Sequence, residues 1–245
     1  MCVRRSGAGP ELVWIHGLGE WSGSFEPLAS LLSSYTHVFP DLPGYGRSPW
    51  TEPESLAAVA AHLAHWLAGR PPVILAGHSM GGVLATLVAE QIPVHAVVNL
   101  DGNVTRGDCT FSARAAGQPL EVFIAGGFEQ MRLDVFASAA TAPALRGYHA
   151  ALAMASPATF HHHAVDLVRL SETATLGPRL AALTIPKLFI AGVPNGICGA
   201  SRAELDRLGI PWVGIEPAGH WVFVDQARAC ADAIEVELDR IRITS

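Results

Sequence analysis

The amino-acid sequence predicts an α/β protein built on one mostly parallel, doubly wound sheet. Three observations lead to this prediction: short β-rich apolar runs recur along the chain, segments of helical composition separate them, and glycine-containing turns follow several of the runs. This alternation is typical of parallel sheets with crossover helices. With 245 residues, half of them hydrophobic, the chain is long enough for one sizeable core and short for two equal domains.

The predicted strands are about six apolar runs, each followed by a helix or by a longer excursion. They lie at 12–15, 37–39, 73–76, 96–100, 187–191 and 212–215. The predicted helices lie at 25–32, 55–67, 82–90 and 202–208, with a closing helix at 225–240. Right-handed crossovers place the carboxyl ends of parallel strands along one edge of the sheet, where the sites of open α/β proteins are found.

One segment, 104–179, interrupts this alternation. It has no strand signal and is rich in Ala, Phe, His and Leu, with helix-length pieces at 120–137, 144–155 and 158–171. A connection of this length is too long for a simple loop in a compact domain. We therefore expect residues 1–103 and 180–245 to form the α/β core, and residues 104–179 to form a helical cap inserted between strands.

Charge and composition disfavour several classes of function. The net charge is −6 at pH 7, and no window gathers Lys and Arg into a stripe that could neutralise phosphates, so nucleic acid is not an expected partner. The longest apolar stretch, 83–100, is interrupted by Glu90, Gln91 and Pro93, which argues against a membrane span. Residues 1–10 lack the apolar region of a signal peptide. We expect a cytoplasmic protein that acts on a small molecule, in an oligomeric state that stays open.

The clustered histidines and the cysteines predict neither a metal site nor a disulfide framework. His161, His162 and His163 are consecutive, but neighbours on a helix point about 100° apart and cannot converge on one ion. No Cys-x-x-Cys pair is present, so idle thiols are expected, although a disulfide set by the fold stays open. The cysteines are Cys2, Cys109, Cys198 and Cys230.

The sequence Gly-His-Ser-Met-Gly-Gly at 77–82 stands between an apolar run and a helical segment. Small residues two positions before and two after Ser79 allow the strand and the helix to approach at a sharp turn that presents the serine hydroxyl. The amino end of the helix also favours negative charge there. This context predicts Ser79 as a catalytic nucleophile, and a structural turn is the alternative.

Two backbone N–H groups are predicted to stabilise an oxyanion. The sequence His-Gly-Leu-Gly at 16–19 follows the first apolar run, and its glycines allow the chain to turn over the sheet edge and present the Leu18 N–H. Met80, directly after the predicted nucleophile, supplies the second donor. Two such donors stabilise a tetrahedral intermediate. A tight turn at the strand exit is the alternative interpretation of this loop.

His220 is the predicted general base. It lies just past the last apolar run, in the sequence Ala-Gly-His-Trp at 218–221, and it combines a position near the C-terminus with a strand exit. A histidine there can accept the proton of a serine hydroxyl at the same sheet edge.

Four motifs in this order resemble the α/β-hydrolase superfamily across nearly the whole chain. They are the loop at 16–19, the sequence Asp-Leu-Pro-Gly-Tyr-Gly-Arg-Ser at 41–48, the turn at 77–82 and the Gly-His pair at 219–220. The resemblance implies a triad in the chain order Ser, acid, His. It does not identify the substrate, because this fold hosts esterases, lipases, thioesterases, lactonases, peptidases, C–C hydrolases and non-catalytic receptors.

Two departures from the family pattern matter. Relatives usually begin with an antiparallel pair of strands, but only about ten residues precede Leu12, so we expect a sheet trimmed at that edge. Relatives commonly carry the acid after the strand that here is 187–191, where this sequence has Asn195, whose amide has no charge to stabilise an imidazolium. Asp101 follows the run 96–100, where some relatives place their acid. Asp101 is therefore the predicted acid, with a turn or capping role as the alternative.

These motifs predict a serine hydrolase that cleaves a carboxylic ester-type bond through an acyl-enzyme, without a metal or organic cofactor. Aromatic and aliphatic residues flank the catalytic loops and favour a hydrophobic substrate of moderate size, although core packing explains each one singly. They are Trp21, Phe25, Trp221 and Val222. The alternatives are a thioesterase or lactonase with the same triad, a C–C bond hydrolase or lyase, and a hydrolase-like ligand-binding protein with little turnover.

Overall fold

A computed structural model describes residues 1–244 of the chain, apart from the side chains of residues 241–244. Its strands are β1 (Cys2–Gly7), β2 (Glu11–Ile15), β3 (Thr36–Asp41), β4 (Ile74–His78), β5 (Ala96–Leu100), β6 (Lys187–Asn195) and β7 (Trp212–Gly219). In the described chain they form one sheet in the order β1-β3-β2-β4-β5-β6-β7, and all neighbouring pairs are parallel except β1 with β3. The predicted α/β class with a mostly parallel sheet is confirmed.

The edge strand β1 is the strand that the apolar runs do not reveal. It pairs antiparallel with β3, from Cys2 opposite Asp41 to Gly7 opposite Thr36. Its side chains are partly or fully exposed, because an edge strand has one neighbour and little cover, so its sequence lacks an apolar run. The described sheet therefore has seven strands rather than six, and one antiparallel strand stands at the edge where the family resemblance implied a pair.

The helices flank the sheet on both faces. They are α1 (Glu26–Ala29), α2 (Leu56–Leu67), α3 (Met80–Ala89), α4 (Phe111–Ala116), α5 (Leu120–Val122), α6 (Phe128–Ser138), α7 (Ala144–Leu152), α8 (Pro157–Glu172), α9 (Leu176–Ala182), α10 (Gly199–Leu208), α11 (Val222–Asp225) and α12 (Ala227–Thr244). Short 3-10 turns lie at Ser22–Phe25 and Arg106–Asp108, and a π-helical turn lies at Phe123–Gly127. No helix in residues 1–244 has both the length and the apolar character that crossing a membrane requires. All four cysteines, which lie within these residues, are free thiols.

The central strands bury both of their faces, and each face belongs to a different hydrophobic cluster. In β2, Val13 and Ile15 join the cluster that contains α2 and α3, whereas Leu12 and Trp14 join the cluster that contains α1, α11 and α12. Side chains alternate between the faces of a strand, so continuous apolar runs are what a sheet covered on both sides requires. The doubly wound arrangement follows from this pattern.

Between β5 and β6 the described chain consists of helices and turns. We call this segment, 104–182, the helical insertion, and α9 carries it slightly past position 179. Phe123, Phe128 and Phe160 pack together at its centre, with ring centroids 5.8 Å apart for Phe123 and Phe160 and 5.6 Å apart for Phe128 and Phe160. The three rings belong to the same cluster as α2 and α3, so the insertion packs on one face of the sheet.

Removing the central ring of the insertion should destabilise the protein. Phe160 is fully buried, so we expect Phe160→Ala to lower the free energy of unfolding by about 3–5 kcal/mol through lost contacts and the cavity left behind. Phe136→Ala is the matched control, because its ring is 64% exposed and should change stability by less than about 0.5 kcal/mol. Urea unfolding followed by circular dichroism measures both values, and similar values for the two variants would contradict the packing described here.

Candidate active site

Ser79 lies at the sharp turn between β4 and α3. Its backbone has φ 52° and ψ −121°, a positive φ that is strained for a residue with a side chain. The surrounding glycines explain how the turn is reached: a Cβ on Gly77 would lie 2.1 Å from the Gly81 carbonyl oxygen, and one on Gly81 would lie 1.9 Å from the Ile15 carbonyl oxygen. Strand, helix and β2 therefore approach each other at distances that only glycine permits, and Ser79 faces a cavity.

The loop at 16–19 is held by a buried imidazole. His16 Nδ1 donates to the Gly17 carbonyl oxygen over 2.9 Å, and the Leu42 backbone N–H donates to His16 Nε2 over 3.0 Å. One nitrogen donates and the other accepts, as in a neutral imidazole. Burial lowers the pKa of His16 and outweighs the nearby carboxylates, which agrees with this neutral state. Because His16 holds the loop in this way, Leu18 lies at the wall of the cavity that Ser79 also lines.

Met80 is the first residue of α3, directly after Ser79. The first N–H groups of a helix have no partner within it, so the Met80 N–H is of the kind that an oxyanion can accept from. The Met80 side chain is fully buried in the core and does not line the cavity. Its predicted contribution is accordingly one of the main chain.

His220 and Asp101 are in direct contact. His220 Nδ1 donates to Asp101 Oδ2 over 2.7 Å. The other carboxylate oxygen accepts from the backbone N–H groups of Gly192, at 2.9 Å, and Ile197, at 3.1 Å, and Asp101 is fully buried. The carboxylate is thus held on three sides. With Nδ1 donating, Nε2 is the nitrogen of His220 that can accept a proton.

Asn195 occupies the corresponding place at the end of the neighbouring strand, but the carboxylate on His220 comes from Asp101. Asn195 lies opposite Gly219 in the pairing of β6 with β7, and it lines a groove beside the site. The following glycine makes room for the acid, because a Cβ on Gly196 would lie 2.3 Å from Asp101 Oδ1. The chain past β6 therefore wraps around the Asp101 carboxylate and supplies N–H groups to it.

Two adjacent spaces, which share five lining residues, border these residues. The small cavity, which is lined by Ser79 and His220 among others, has a volume of about 20 Å³, enough for roughly one water molecule. The groove beside it has a volume of about 560 Å³, within the range of small-molecule sites. The residues lining both are Asp108, Thr110, Phe111, His220 and Trp221. A substrate chain of any length must therefore extend into the groove.

An aromatic corner formed by three rings borders the small cavity, and two of these rings, Phe111 and Trp221, also line the groove. Trp221 packs against Tyr148 with ring centroids 4.9 Å apart, and Phe111 contacts both rings at 5.3 Å and 6.1 Å. Phe111 and Tyr148 belong to the helical insertion and line the small cavity. Sequence reasoning missed these two residues, because they lie outside the recognisable motifs and only the packing of the insertion brings them to the site.

Three of the four residues expected in the substrate pocket lie elsewhere. Phe25 and Val222 are fully buried in the cluster on the opposite face of the sheet, where Phe25 stacks on Trp14 with centroids 5.1 Å apart. Trp21 lies under the Arg47 guanidinium, whose carbon is 5.5 Å from the ring centroid. Trp221 alone of the four lines the described spaces. Proximity in sequence to a catalytic loop does not set the side of the sheet on which a residue packs.

A buried carboxylate and imidazole lie beneath the site. Glu20 Oε1 is 2.9 Å from His78 Nδ1, and both side chains are 1% exposed. Burial disfavours the charged form of each group, but their mutual attraction prevails, so the pKa of Glu20 is lowered and that of His78 is raised. Neither residue was singled out for chemistry in the sequence, where His78 reads as part of the turn motif.

The three consecutive histidines of α8 have separate surroundings. His161 Nε2 donates to the Gln118 carbonyl oxygen over 2.8 Å, and His163 Nδ1 lies 2.9 Å from the Tyr45 hydroxyl. Burial lowers the pKa of His163 to about 4. His162 is exposed. Within the described residues, no group of three or more His, Cys, Asp or Glu is arranged to hold a metal ion.

The close packing at the turn gives a testable steric consequence. Gly81→Ala places a Cβ against the Ile15 carbonyl, so we expect a loss of about 2 kcal/mol or more in the free energy of unfolding. Gly147→Ala is the control: it lies within α7 with open space around it, and alanine should stabilise that helix by about 0.5–1 kcal/mol. Thermal or urea unfolding of both variants checks the opposite signs, and a Gly81→Ala variant as stable as the parent would contradict the geometry.

Comparisons with known proteins agree with this architecture. Residues 12–233 match the model of the Alpha/beta hydrolase family. The chain is 30% identical over 250 residues to a pimeloyl-[acyl-carrier protein] methyl ester esterase of Stenotrophomonas maltophilia, covering 96% of this chain and 95% of the relative. Among solved structures, it resembles a carboxylesterase of Nitrososphaera gargenis, with a TM-score of 0.83 and 17% identity over 100% of this chain and 96% of that chain. It also resembles the enol-lactonase of Burkholderia xenovorans, with a TM-score of 0.78 and 16% identity over 97% and 96% of the two chains. The chain belongs to the alpha/beta hydrolase family.

Proposed function

We propose that the protein is a serine hydrolase that cleaves a carboxylic ester-type bond of a hydrophobic small molecule through an acyl-enzyme. The observation that carries the proposal is the 2.7 Å contact between His220 Nδ1 and the buried Asp101 carboxylate, beside a cavity that Ser79 also lines. Relatives named as esterases support an ester hydrolase in general. The strained backbone of Ser79 favours turnover over simple binding, because such strain is costly and is kept where it serves a reaction.

The proposed reaction has two steps. His220 Nε2 takes the Ser79 proton as Ser79 Oγ attacks the carbonyl carbon, and the Leu18 and Met80 N–H groups hold the resulting oxyanion. His220 then gives the proton to the leaving alcohol oxygen as the C–O bond breaks. Water then enters, loses a proton to His220 and attacks the acyl carbonyl carbon. The bond between that carbon and Ser79 Oγ breaks, His220 returns the proton to Oγ, and the acid is released. Asp101 keeps the reactive tautomer of His220 and stabilises its imidazolium.

We also propose that residues 104–179 of the helical insertion form a cap over this site, with residues 1–103 and 180–245 as the catalytic core. Phe111 and Tyr148 support this division, because both come from the insertion and line the small cavity with Ser79. The small cavity that the aromatic corner borders holds roughly one water molecule. The cap would then decide which acyl or alcohol chains reach Ser79.

The lining of the two spaces favours an uncharged substrate. None of the described residues that line the groove is Lys or Arg, whereas Asp108 and Asp225 border it. A carboxylate or phosphate on the substrate would lose hydration there without gaining a cation. The groove wall includes Phe111, Leu145 and Trp221, which suit a hydrophobic chain.

The nucleophile is tested by covalent labelling. A fluorophosphonate probe should modify the wild type at Ser79, and Ser79→Ala should fold normally and lose at least about four orders of magnitude in turnover of p-nitrophenyl esters. Ser112→Ala is the matched control, because Ser112 lines the same cavity and is buried, yet has no role in the reaction. Labelling at Ser112, or turnover that survives Ser79→Ala, would overturn the proposal. Parallel assays with thioesters, lactones and C–C substrates decide among the bonds that the same residues could cleave.

The identity of the catalytic acid is tested by comparing substitutions at Asp101, which follows β5, and at Asn195, which ends β6. Asp101→Asn should lower kcat by about four orders of magnitude near neutral pH, because the amide no longer favours the reactive tautomer or the imidazolium. Asn195→Ala should lose less than about tenfold, since the Asp101 carboxylate is what His220 contacts. Steady-state kinetics on one ester measures both. A greater loss in Asn195→Ala than in Asp101→Asn would reverse the assignment.

Substrate charge is tested with a pair of esters of matched length. The p-nitrophenyl ester of hexanoic acid should be hydrolysed with a kcat/KM at least about tenfold above that of the mono-p-nitrophenyl ester of adipic acid, which ends in a carboxylate. Thr110→Arg places a cation where Thr110 borders both spaces, and should narrow the difference. Equal handling of both esters by the wild type would contradict the electrostatic argument.

A further inference from the structure

The buried pair of Glu20 and His78 is not used in the reaction described above, yet both side chains line the small cavity. The two charged groups lie 2.9 Å apart and are almost completely buried. Removing two ions from water is costly, so a buried pair is weak evidence for a contribution to stability alone. The other contacts of the pair indicate a different purpose.

Both members of the pair reach the segment that carries the proposed base. Trp221 Nε1 donates to Glu20 Oε1 over 2.6 Å, and His78 Nε2 donates to the His220 carbonyl oxygen over 2.8 Å. The second oxygen of Glu20 accepts from the Gly17 backbone N–H over 2.8 Å. The pair therefore connects the loop at 16–19, the residue before Ser79, the main chain of His220 and the indole of Trp221.

The contacts of His78 favour a charged ring. Its two nitrogens face a carboxylate oxygen of Glu20 and the carbonyl oxygen of His220, and both of these are acceptors. His78 Nδ1 contacts Glu20 as an ion pair rather than through a hydrogen bond. With Nε2 donating to the His220 carbonyl, a neutral ring would turn the lone pair of Nδ1 toward the carboxylate, so the imidazolium is the favoured form. The raised pKa of His78 and the lowered pKa of Glu20 agree with this state, and Asp101 adds to the attraction on His78. The pair is thus doubly ionised with no net charge.

The pair lies next to His220 and Trp221, so it can affect the proposed reaction through these two residues. Asp101 holds His220 at one ring nitrogen, and this hydrogen bond alone does not fix the main chain of His220. His78 holds the main chain of the same residue, and the two imidazole rings lie 4.6 Å apart. Glu20 holds the Trp221 indole, which forms the aromatic corner. The two anchors together restrict both the ring and its backbone.

Building on the proposed function, we propose that Glu20 and His78 are positioning residues, whose ion pair fixes the His220 main chain and the Trp221 indole in the arrangement that proton transfer with Ser79 requires. The His78 cation has a second effect. It neutralises the Glu20 carboxylate, which contacts the loop at 16–19 that carries the proposed oxyanion donor Leu18. An uncompensated Glu20 there would repel the developing oxyanion. Loss of His78 alone should accordingly harm turnover more than loss of the whole pair.

The experiment is a double-mutant cycle of His78→Asn, Glu20→Gln and the two combined. For each folded variant, kcat and KM on p-nitrophenyl butyrate and the rate of fluorophosphonate labelling at Ser79 are measured. We expect His78→Asn to lower kcat and the labelling rate about 10- to 100-fold with KM changed less than about threefold. The double variant should recover part of this loss, because neutral amides replace both charges. A kcat within about threefold of the wild type in folded His78→Asn, or a double variant worse than both single variants, would overturn the proposal.

His37→Asn is the matched control. His37 is also a buried imidazole that bridges an indole and a carbonyl: Trp14 Nε1 donates to its Nδ1 over 3.1 Å, and its Nε2 donates to the Leu32 carbonyl oxygen over 2.9 Å. It lies away from the site, so His37→Asn should lower stability and leave kcat unchanged. If His37→Asn lowered kcat as much as His78→Asn does, general destabilisation would explain both losses, and the proposal would be overturned.

A second readout does not depend on activity. In Ser79→Ala protein near neutral pH, nitrogen-15 NMR should show both His78 ring nitrogens protonated, and Glu20→Gln in that background should return His78 to a neutral ring. A neutral His78 in the Ser79→Ala protein would overturn the positioning proposal while leaving the proposed function intact. Failure of the wild type to label at Ser79 would instead remove the proposed function, so the two failures are distinguishable.

Discussion

Three backbone segments meet at the carboxyl end of β4 at distances that exclude a side chain. Gly77 and Gly81 mark the two contacts, between β4 and α3 and between α3 and β2. Because the backbone is this close, the residue between them must turn sharply, and Ser79 takes a positive φ that presents its side chain to the cavity. The strain at one residue is stabilised by the packing of the whole central sheet, whose strands bury both faces.

The parallel sheet then gathers the other groups at the same edge. Asp101 follows β5 and His220 follows β7, and these strands are separated by β6, whose exit supplies N–H groups from Gly192 and Ile197 to the carboxylate. Asp101, the proposed acid, follows β5, the direct neighbour of β4, whereas Asn195 ends β6, which is one strand further away. The glycine at 196 lets the chain close over the acid from the other side. A carboxylate held in this way has one oxygen left for His220, and the donor geometry selects the tautomer of that histidine.

The sequence allowed the strand exits to be identified because each carries a local signal: a buried apolar run followed by glycines and a polar residue. Ser79, Asp101 and His220 were predicted by this reasoning, and the contact expected between the last two is present. The pocket was harder to predict. Phe25 and Val222 follow catalytic loops in sequence but pack on the far face, whereas Phe111 and Tyr148 come from the insertion, where no motif marks them. The edge strand β1 was not predicted, because its exposed sequence contains no apolar run.

The sequence by itself determined the α/β class, the alternation of helices with six of the seven described strands, and the residues at the ends of the central strands. These features depend on local periodicity and on turn chemistry at single positions. Only the tertiary structure decided which aromatic rings face the cavity, how Asp101 is wrapped by the chain after β6, and that Glu20 meets His78 beneath the site. These features join residues that are distant in sequence, and their side-chain contacts follow from how helices and loops pack across the sheet. Periodicity carries no information about that packing, because it reports whether a residue is buried and not which residue it meets.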